Sequence, residues 1–241
     1  MLESINLSKR YGDHQALDNL SLTVAPGEVF CLLGANGAGK TTTINLFMSF
    51  IQPSSGVVKV NTIDVVERPY ETKNHLAYIP ENLSLYGNLS GLENLKFFAG
   101  LSGINLDSSK AEFLLHQVGL EQSAISRRVS KYSKGMRQKV GIAIAKAKNA
   151  DNLLLDEPTS GLDPQASNDF AVLLEDLRAR NVAILMATHD LFRAKESGTH
   201  IGIMKSGKLI HSLKSEEVTL LELEKLYLET MKTPSDVEVD H

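Results

Sequence analysis

The sequence predicts an α/β fold built on a mainly parallel sheet, and three observations support this prediction. The run Val29–Leu33 is continuously apolar, which is typical of a strand buried on both faces of a sheet. A glycine-rich loop and a helical pattern follow this run directly. Further on, the apolar strand Leu153–Leu155, a helix from about Pro164 to Arg180 and the strand Val182–Thr188 follow one another. This order favours a parallel sheet, because a crossover helix joins parallel strands.

The segments on either side of the glycine-rich loop are expected to be rich in strands. Leu2–Leu7 and Leu17–Val24 alternate apolar with polar residues, and the turn Tyr11-Gly12-Asp13 joins them. The helix after the loop is predicted over Thr42–Phe50, because a Pro-Ser-Ser-Gly sequence follows it. A further strand is predicted over Val57–Val60.

The remainder of the chain is predicted to contain more helix. Apolar residues recur at helical spacing from Leu92 to Leu120, which indicates a helical insertion, and the same periodicity continues through Met136–Ala147. The last predicted elements are a hairpin of Ile201–Met204 and Lys208–Ser212 around Ser206-Gly207, an amphipathic helix over Glu216–Met231, and a short acidic tail, Pro234–His241, that is expected to fray.

The composition narrows the class of protein. With 42% hydrophobic and 22% charged residues in 241, it is ordinary for a soluble globular protein. A net charge of -4 gives no reason to expect nucleic-acid binding, which usually requires a basic surface. No apolar run reaches membrane-spanning length, and the N-terminus lacks the pattern of a signal peptide. We therefore expect the chain in the cytosol unless a partner holds it at a membrane. Cys31 is the only cysteine, so a disulfide within the chain is excluded.

The loop after Val29–Leu33 fits the phosphate-binding pattern G-x-x-x-x-G-K-[ST]. Its glycines permit positive φ angles and a close backbone approach to a triphosphate. Lys40 supplies a charge for the β- and γ-phosphates, Thr41 supplies a hydroxyl for Mg²⁺, and the helix directs its positive end at the anion. The predicted nucleotide-binding residues of this loop are Gly34, Asn36, Gly37, Gly39, Lys40, Thr41 and Thr42.

Three further positions carry chemistry that suits a bound nucleotide. Asp156 and Glu157 follow the apolar strand Leu153–Leu155, where one carboxylate can hold Mg²⁺ through water and the other can polarise the water that attacks the γ-phosphate. His189 ends the next strand, from which an imidazole can reach the γ-phosphate. Ser133 precedes a predicted helix and forms a second anion site with its N-terminus, which a single triphosphate in one chain does not explain.

Taken together, these motifs resemble those of the nucleotide-binding subunit of ABC transporters, in order and in spacing, from about Leu2 to Leu213. The resemblance implies a P-loop NTPase of ABC type, with a RecA-like, mainly parallel sheet core, an N-terminal antiparallel β-subdomain and a helical signature subdomain at about residues 84–150. It also implies a nucleotide-binding domain at residues 1–215, followed by a C-terminal helix and short tail at residues 216–241.

The resemblance assigns a role to each matching residue. Tyr11 stacks on adenine, Gly34–Thr42 is the Walker A loop, and Asp156 is the Walker B magnesium residue. Glu157 is the catalytic base, His189 is the switch histidine, and Lys40 acts with them on the phosphates. Ser133 and Gly135 belong to the signature motif and Asp163 to the D-loop. In such proteins the signature of one subunit closes on the ATP of the other, which accounts for the second anion site.

Two residues depart from the usual pattern of that family. Glu81 occupies the place of a glutamine, where its carboxylate can still contact Mg²⁺ but cannot donate an amide hydrogen bond. Lys134 replaces a glycine of the signature, and two expectations stay open for it: its charge lies near the phosphates of the partner subunit, or it faces solvent. Both departures resemble the ABC-2 export branch, which includes drug, sodium and polysaccharide exporters. The motifs that contain these two residues are also similar to those of the ATPases of nitrous oxide reductase copper-maturation systems.

The leading hypothesis is therefore an ATP-hydrolysing homodimer that drives an integral membrane permease subunit, with export as the expected direction. The chain would lie peripherally on the cytoplasmic face of the inner membrane and dock through Leu92–Leu120 and the segment after Glu81. A soluble ABC-type ATPase acting on ribosomes or DNA is the main alternative, although such proteins usually join two cassettes or insert a long coiled coil. A small-molecule kinase would leave Ser133 and His189 unexplained.

Overall fold

A computed structural model describes residues 1–232 and divides the strands between two sheets. The first is antiparallel and four-stranded, in the order β2-β1-β4-β5, and the second is six-stranded, in the order β10-β9-β3-β8-β7-β6. Every pair in the second sheet is parallel except β9 with β10. The strands are β1 (Leu2–Tyr11), β2 (His14–Val24), β3 (Val29–Leu33), β4 (Ser55–Val60), β5 (Ile63–Asp64), β6 (Leu76–Ile79), β7 (Asn152–Asp156), β8 (Ala183–Thr188), β9 (His200–Lys205) and β10 (Lys208–Lys214).

Helices cover both faces of the six-stranded sheet, and several begin at a residue with a capping side chain. Ser90 and Thr219 each form a capping box with the glutamate three residues later, Glu93 and Glu222. The helices are α1 (Lys40–Phe47), α2 (Pro69–Asn74), α3 (Gly91–Leu101), α4 (Ser108–Gln117), α5 (Gln122–Ile125), α6 (Lys134–Lys148), α7 (Pro164–Ala179), α8 (Leu191–Ser197) and α9 (Leu220–Met231). None of those within residues 1–232 is both long and apolar enough to cross a bilayer.

Strand β3 lies inside the six-stranded sheet and contributes to two hydrophobic cores. Val29, Cys31 and Leu33 pack in one core with residues of α3 to α7. Phe30 and Leu32 pack in the other with residues of β1, β2 and α1. Successive side chains of a strand point to opposite faces, so a strand between two cores must be apolar throughout. All five residues of β3 are buried, as its continuous apolar sequence predicts.

The predicted fold class, with its mainly parallel sheet and N-terminal antiparallel sheet, is confirmed. The predicted limits of the first helix are wrong: it begins at Lys40, directly after Gly39, whose φ of 108° is incompatible with a helix, and it ends at Phe47. The last helix begins at Leu220 rather than Glu216, because the Thr219 capping box fixes its start.

Other predictions are confirmed, and some elements were not predicted. The hairpin around Ser206-Gly207 is present, with both residues at positive φ as a two-residue turn requires. Helices α2, α5 and α8 were not predicted, because segments of 4 to 7 residues are too short to establish a period. The tail Pro234–His241 lies outside the described residues, and the division of the chain at residue 215 stays a prediction.

Candidate active site

The phosphate-binding loop lies between the end of β3 and the start of α1, and its geometry requires glycine at two positions. A Cβ atom on Gly34 would lie 2.7 Å from the Met204 carbonyl oxygen. Gly39 has a φ of 108°, and a Cβ atom there would lie 2.8 Å from the Ala16 carbonyl oxygen. Any side chain at these positions would displace backbone, so packing against β2 and β9 fixes the path of the loop.

Lys40, the first residue of α1, folds back over the loop. Its ammonium group donates hydrogen bonds to the carbonyl oxygens of Gly34 at 2.6 Å and Ala35 at 3.2 Å. The same nitrogen lies 3.5 Å from Oε1 of Glu157, and only 6% of the Lys40 side chain is exposed. A buried ammonium with these neighbours is a ready partner for a phosphate anion that enters the loop.

Thr41 and Asp156 bring a hydroxyl and a carboxylate together from two separate elements. The Thr41 Oγ1 atom donates a hydrogen bond of 3.2 Å to Oδ1 of Asp156, the last residue of β7. Burial raises the pKa of the Asp156 carboxyl, and the hydrogen bond from Thr41 opposes this shift. Burial, together with the charge of Asp156, also raises the pKa of Tyr78 to about 12. The Thr41 hydroxyl and the Asp156 carboxylate are oxygen ligands of the kind that Mg²⁺ prefers.

Glu157 occupies the tip of β7 in a left-handed conformation, with a φ of 46°. Its amide donates to the Ala187 carbonyl oxygen at 2.9 Å. Its Oε2 atom accepts hydrogen bonds from the amide of His189 at 3.3 Å and lies 2.9 Å from Nδ1 of the same histidine. The Oε1 atom is buried and has no hydrogen-bond partner within residues 1–232, although Lys40 lies opposite it. One carboxylate oxygen is thus fixed and the other faces the loop.

Most of the predicted nucleotide-binding residues line one cavity of about 280 Å³ beside the loop. Its lining includes Tyr11, whose ring is 46% exposed and has the Lys9 ammonium 4.9 Å from its centroid. His14 also lines this cavity and was not predicted, because no motif includes it. The predicted residues in the lining are Tyr11, Asn36, Gly37, Gly39, Lys40, Thr41, Thr42, Glu81, Asp156 and Glu157.

The other predicted residues lie away from that cavity. Gly34 contributes only its carbonyl oxygen to Lys40, and His189 reaches the cavity through Glu157. Ser133 caps α6, its Oγ atom accepting from the Met136 amide at 3.2 Å, and Asp163 caps α7. Gly135 packs against the first turn of α7, and a Cβ atom added to it would lie 3.0 Å from the Cβ atom of Ala166. Ser133, Gly135 and Asp163 therefore lie at the starts of α6 and α7, outside the lining of the nucleotide cavity.

The residues around the cavity fit a nucleoside triphosphate with Mg²⁺. The loop carries a buried ammonium group, and the Thr41–Asp156 pair lies where its helix begins. Within residues 1–232, no group of three or more His, Cys, Asp or Glu residues could hold a metal ion by itself. Fold and site together define a P-loop nucleotide-hydrolysing domain.

Comparison with known proteins places the chain within that class. A family model described as "ABC transporter" matches residues 17–160, which is more than half of the chain. The chain therefore belongs to the ABC transporter family, among its ATP-binding subunits. Its relatives include NatA of Bacillus subtilis, 36% identical over 218 residues that cover 88% of each chain. The bacitracin transport protein BcrA of Bacillus licheniformis is 34% identical over 88% of this chain and 69% of its own.

Some relatives are considerably longer than this chain. YbhF of Escherichia coli, described as a "probable multidrug ABC transporter ATP-binding protein", is 35% identical over 88% of this chain, which spans only 37% of the length of YbhF. Solved structures are similar as well. An ATP-binding subunit of an ABC transporter superposes with a TM-score of 0.83 at 30% identity, over 96% of this chain and all of that one. The dimeric cassette MJ0796 superposes with a TM-score of 0.80 at 25% identity, over 89% of this chain and 99% of its own.

Proposed function

We propose that this chain hydrolyses ATP at a head-to-tail dimer interface and thereby drives export through a separate membrane subunit. The observation that carries the proposal is the placement of Glu157, which His189 holds on one side while Lys40 faces it on the other. A fixed carboxylate beside a phosphate-binding lysine is the arrangement that activates water for attack on a γ-phosphate.

In this proposal each residue has one task. When bound, ATP would supply the γ-phosphoryl group, and Mg²⁺ would offset the negative charge of the phosphates. Lys40 binds the β- and γ-phosphates, while Thr41 and Asp156 hold the metal ion, with Glu81 at the edge of the same cavity. Glu157 orients the attacking water and accepts its proton, and His189 keeps the carboxylate in position.

The dimer follows from the second anion site. Ser133 and Gly135 lie at the start of α6, away from the cavity of their own chain, and Ser133 is exposed there whereas Gly135 is buried. Two copies related by a twofold axis would bring the α6 N-terminus of each copy to the phosphates of the other, and Asp163 would lie at the same interface. The structure of MJ0796 with ADP and phosphate is likewise a dimer, which supports this arrangement.

The membrane partner is proposed from exposed apolar side chains at Tyr86, which lies between β6 and α3, and along α3 itself. Tyr86 is 50% exposed, and its ring contacts that of Phe97 edge to face, with centroids 4.9 Å apart. Leu101, at the end of α3, is 69% exposed. An apolar surface of this kind suits a cytosolic helix of an integral membrane protein, which would hold the chain on the cytoplasmic face of the membrane.

Purification of the tagged chain from native membranes in mild detergent tests this proposal. We expect a polytopic membrane protein to co-purify in near-equal amounts, and its identity would indicate the cargo. Recovery with ribosomal or other soluble proteins alone would contradict the transporter proposal and favour the soluble ATPase. The named relatives are transport proteins, so nothing in the comparisons favours that alternative.

The domain division belongs to the same proposal. We place the nucleotide-binding domain at residues 1–215, its helical signature subdomain at about residues 84–150, and a C-terminal helix and tail at residues 216–241. Helices α3 to α6 fall within the proposed subdomain, and α9 within the last segment. The apolar side of α9 packs on the first core through Leu223, which is fully buried.

A further inference from the structure

The two residues that depart from the family pattern line one cavity. This second cavity, of about 390 Å³, lies beside the nucleotide cavity and has both Glu81 and Lys134 in its lining. Glu81 also lines the nucleotide cavity, so it stands on the boundary between the two. The inner wall includes Gln138, which is 1% exposed and whose amide has no hydrogen-bond partner within residues 1–232. The lining is mixed, since polar and charged side chains lie beside Leu83, Leu85 and Val129.

Ser160 connects Lys134 with Glu81. The Lys134 ammonium donates a hydrogen bond of 2.5 Å to the Ser160 carbonyl oxygen. The Ser160 hydroxyl donates one of 3.4 Å to Oε1 of Glu81. The Ser160 amide in turn donates to the Glu157 carbonyl oxygen at 3.2 Å. One short chain of contacts therefore joins the start of α6, the segment after β7 and the segment after β6.

The position of Lys134 on its helix explains why it needs these partners. It is the first residue of α6, and the first turn of that helix contains no acidic residue. A cation at a helix N-terminus is repelled by the helix dipole. The hydrogen bond to the Ser160 carbonyl oxygen offsets part of that repulsion, and Glu81 lies in the lining of the same cavity.

We propose that Lys134 is a positioning residue for Glu81, which it holds at the edge of the nucleotide cavity by way of Ser160. The usual glycine at position 134 has no side chain for this contact, and glutamate at position 81 supplies the opposite charge. The two departures are thus one feature of the chain, with Ser160 as the link. The role of Glu81 toward Mg²⁺ rests on the proposed function, whereas the contact itself does not.

Hydrogen–deuterium exchange on the full chain without nucleotide tests the contact directly. We compare Lys134→Ala with Lys131→Ala, a matched control, because Lys131 is exposed and lies outside the lining of both cavities. Lys134→Ala should speed exchange of the Ser160 and Leu162 amides several-fold, since the turn they close loses its attachment to α6. Lys134→Arg, which can still donate to a carbonyl, should restore slow exchange. Equal exchange in Lys134→Ala and the wild type would overturn the proposal.

A binding measurement tests the action of Lys134 on Glu81. In the Glu157→Gln background, we titrate Mg²⁺ at fixed ATP and record bound ATP. Lys134→Ala should raise the Mg²⁺ midpoint roughly two- to tenfold when Glu81 is present, and should add nothing in Glu81→Ala, because coupled residues are not additive. Additive effects would show that Lys134 does not act through Glu81. Without any ATP binding the proposed function fails, and the exchange experiment alone decides the positioning role.

Discussion

Glu157 is held in a conformation that its side chain does not favour. A left-handed φ costs a residue with a Cβ atom on the order of 1 kcal/mol or more, and such strain concentrates at functional sites. The hydrogen bond from the Glu157 amide to Ala187 and the bond between its carboxylate and His189 offset that cost. The backbone at the tip of β7 therefore directs the carboxylate, which explains why a strand end rather than a flexible loop carries it.

Replacing Glu157 with glutamine should separate binding of ATP from its hydrolysis. The amide keeps the shape of the side chain but cannot accept a proton, so we expect turnover to fall roughly 10²- to 10⁴-fold while ATP still binds. Phosphate release measures turnover, and size-exclusion chromatography with ATP should show a trapped dimer. Hydrolysis at the wild-type rate would remove Glu157 from the role of base.

Lys40 should contribute to ATP affinity itself. Lys40→Ala removes a charge-assisted contact worth about 1.5–3 kcal/mol, which corresponds to roughly 10- to 150-fold weaker binding. Fluorescent-nucleotide titration measures this loss, with Lys110→Ala as a control, because Lys110 is exposed and lies outside the nucleotide cavity. Undiminished affinity in Lys40→Ala would contradict the role assigned to the loop.

At the level of single residues, the sequence predicted identities better than contacts. The loop pattern specified Lys40 and Thr41, because their types and spacing follow from phosphate chemistry. It did not predict that Lys40 lies beside Glu157, since that depends on which strand is the neighbour of which. The bond between Ser160 and Lys134 was not predicted either, because a lysine near a helix start suggested contact with phosphate or with solvent.

Two ion pairs join helices α6 and α7 along their length. Lys139 pairs with Asp169 and Lys146 with Asp176, each at 2.8 Å. Both partners advance along their helices in the same direction, so the two helices run parallel. The Lys146 side chain is only 5% exposed, whereas the carboxylates remain about 40% exposed. The pairs therefore fix the register between the helices more than they add to stability.

The stabilisation by these pairs should depend on pH. Hydrogen bonds from Lys139 and Lys146 lower the pKa of Asp169 and Asp176 in the folded chain. When the pKa of a carboxyl is lower in the folded chain, the carboxyl adds stability at pH values above its unfolded-state pKa of about 3.9. This added stability is lost as the pH falls through the folded-state pKa. We expect Asp169→Asn with Asp176→Asn to lose about 1 kcal/mol in total at pH 7, after allowance for solvent screening.

Urea unfolding at several pH values measures this effect. The difference in the free energy of unfolding between the wild type and the double variant should narrow as the pH is lowered below about 4. Glu224 on α9 is exposed and forms no ion pair within residues 1–232, so Glu224→Gln serves as the control. A difference that is unchanged at low pH would mean that packing, rather than charge, accounts for it.

At the scale of the whole molecule, the aromatic surface around Tyr86 should couple the ATPase to its partner. Tyr86→Ala and Leu89→Ala should abolish transport while leaving ATP binding intact, because neither residue lines the nucleotide cavity. Tyr70→Ala is a matched control, since that ring is 84% exposed and belongs to α2. Transport in membranes and nucleotide binding by the purified chain are compared. Normal transport in both variants would rule out this surface as the docking site.

The order of the strands is the part of the fold that the sequence could not give. The apolar sequence of β3 predicts a strand with neighbours on both sides, but any buried strand would satisfy it. In the structure those neighbours are β8 and β9, and β7 and β6 follow β8 toward the edge. Long-range pairing of this kind depends on the combined packing of all the helices, which local periodicity does not describe.

The position of β3 has a consequence for how the protein is made. Its neighbours β8 and β9 begin at Ala183 and His200, so a ribosome must add most of the chain before β3 can join the sheet. At 5–20 residues per second, that delay is on the order of ten seconds. Until then β3 has no partner strand in its sheet, although Phe30 and Leu32 can already pack on β1, β2 and α1. We therefore expect the unpaired edges of β3 to be most open to pairing with other chains during synthesis.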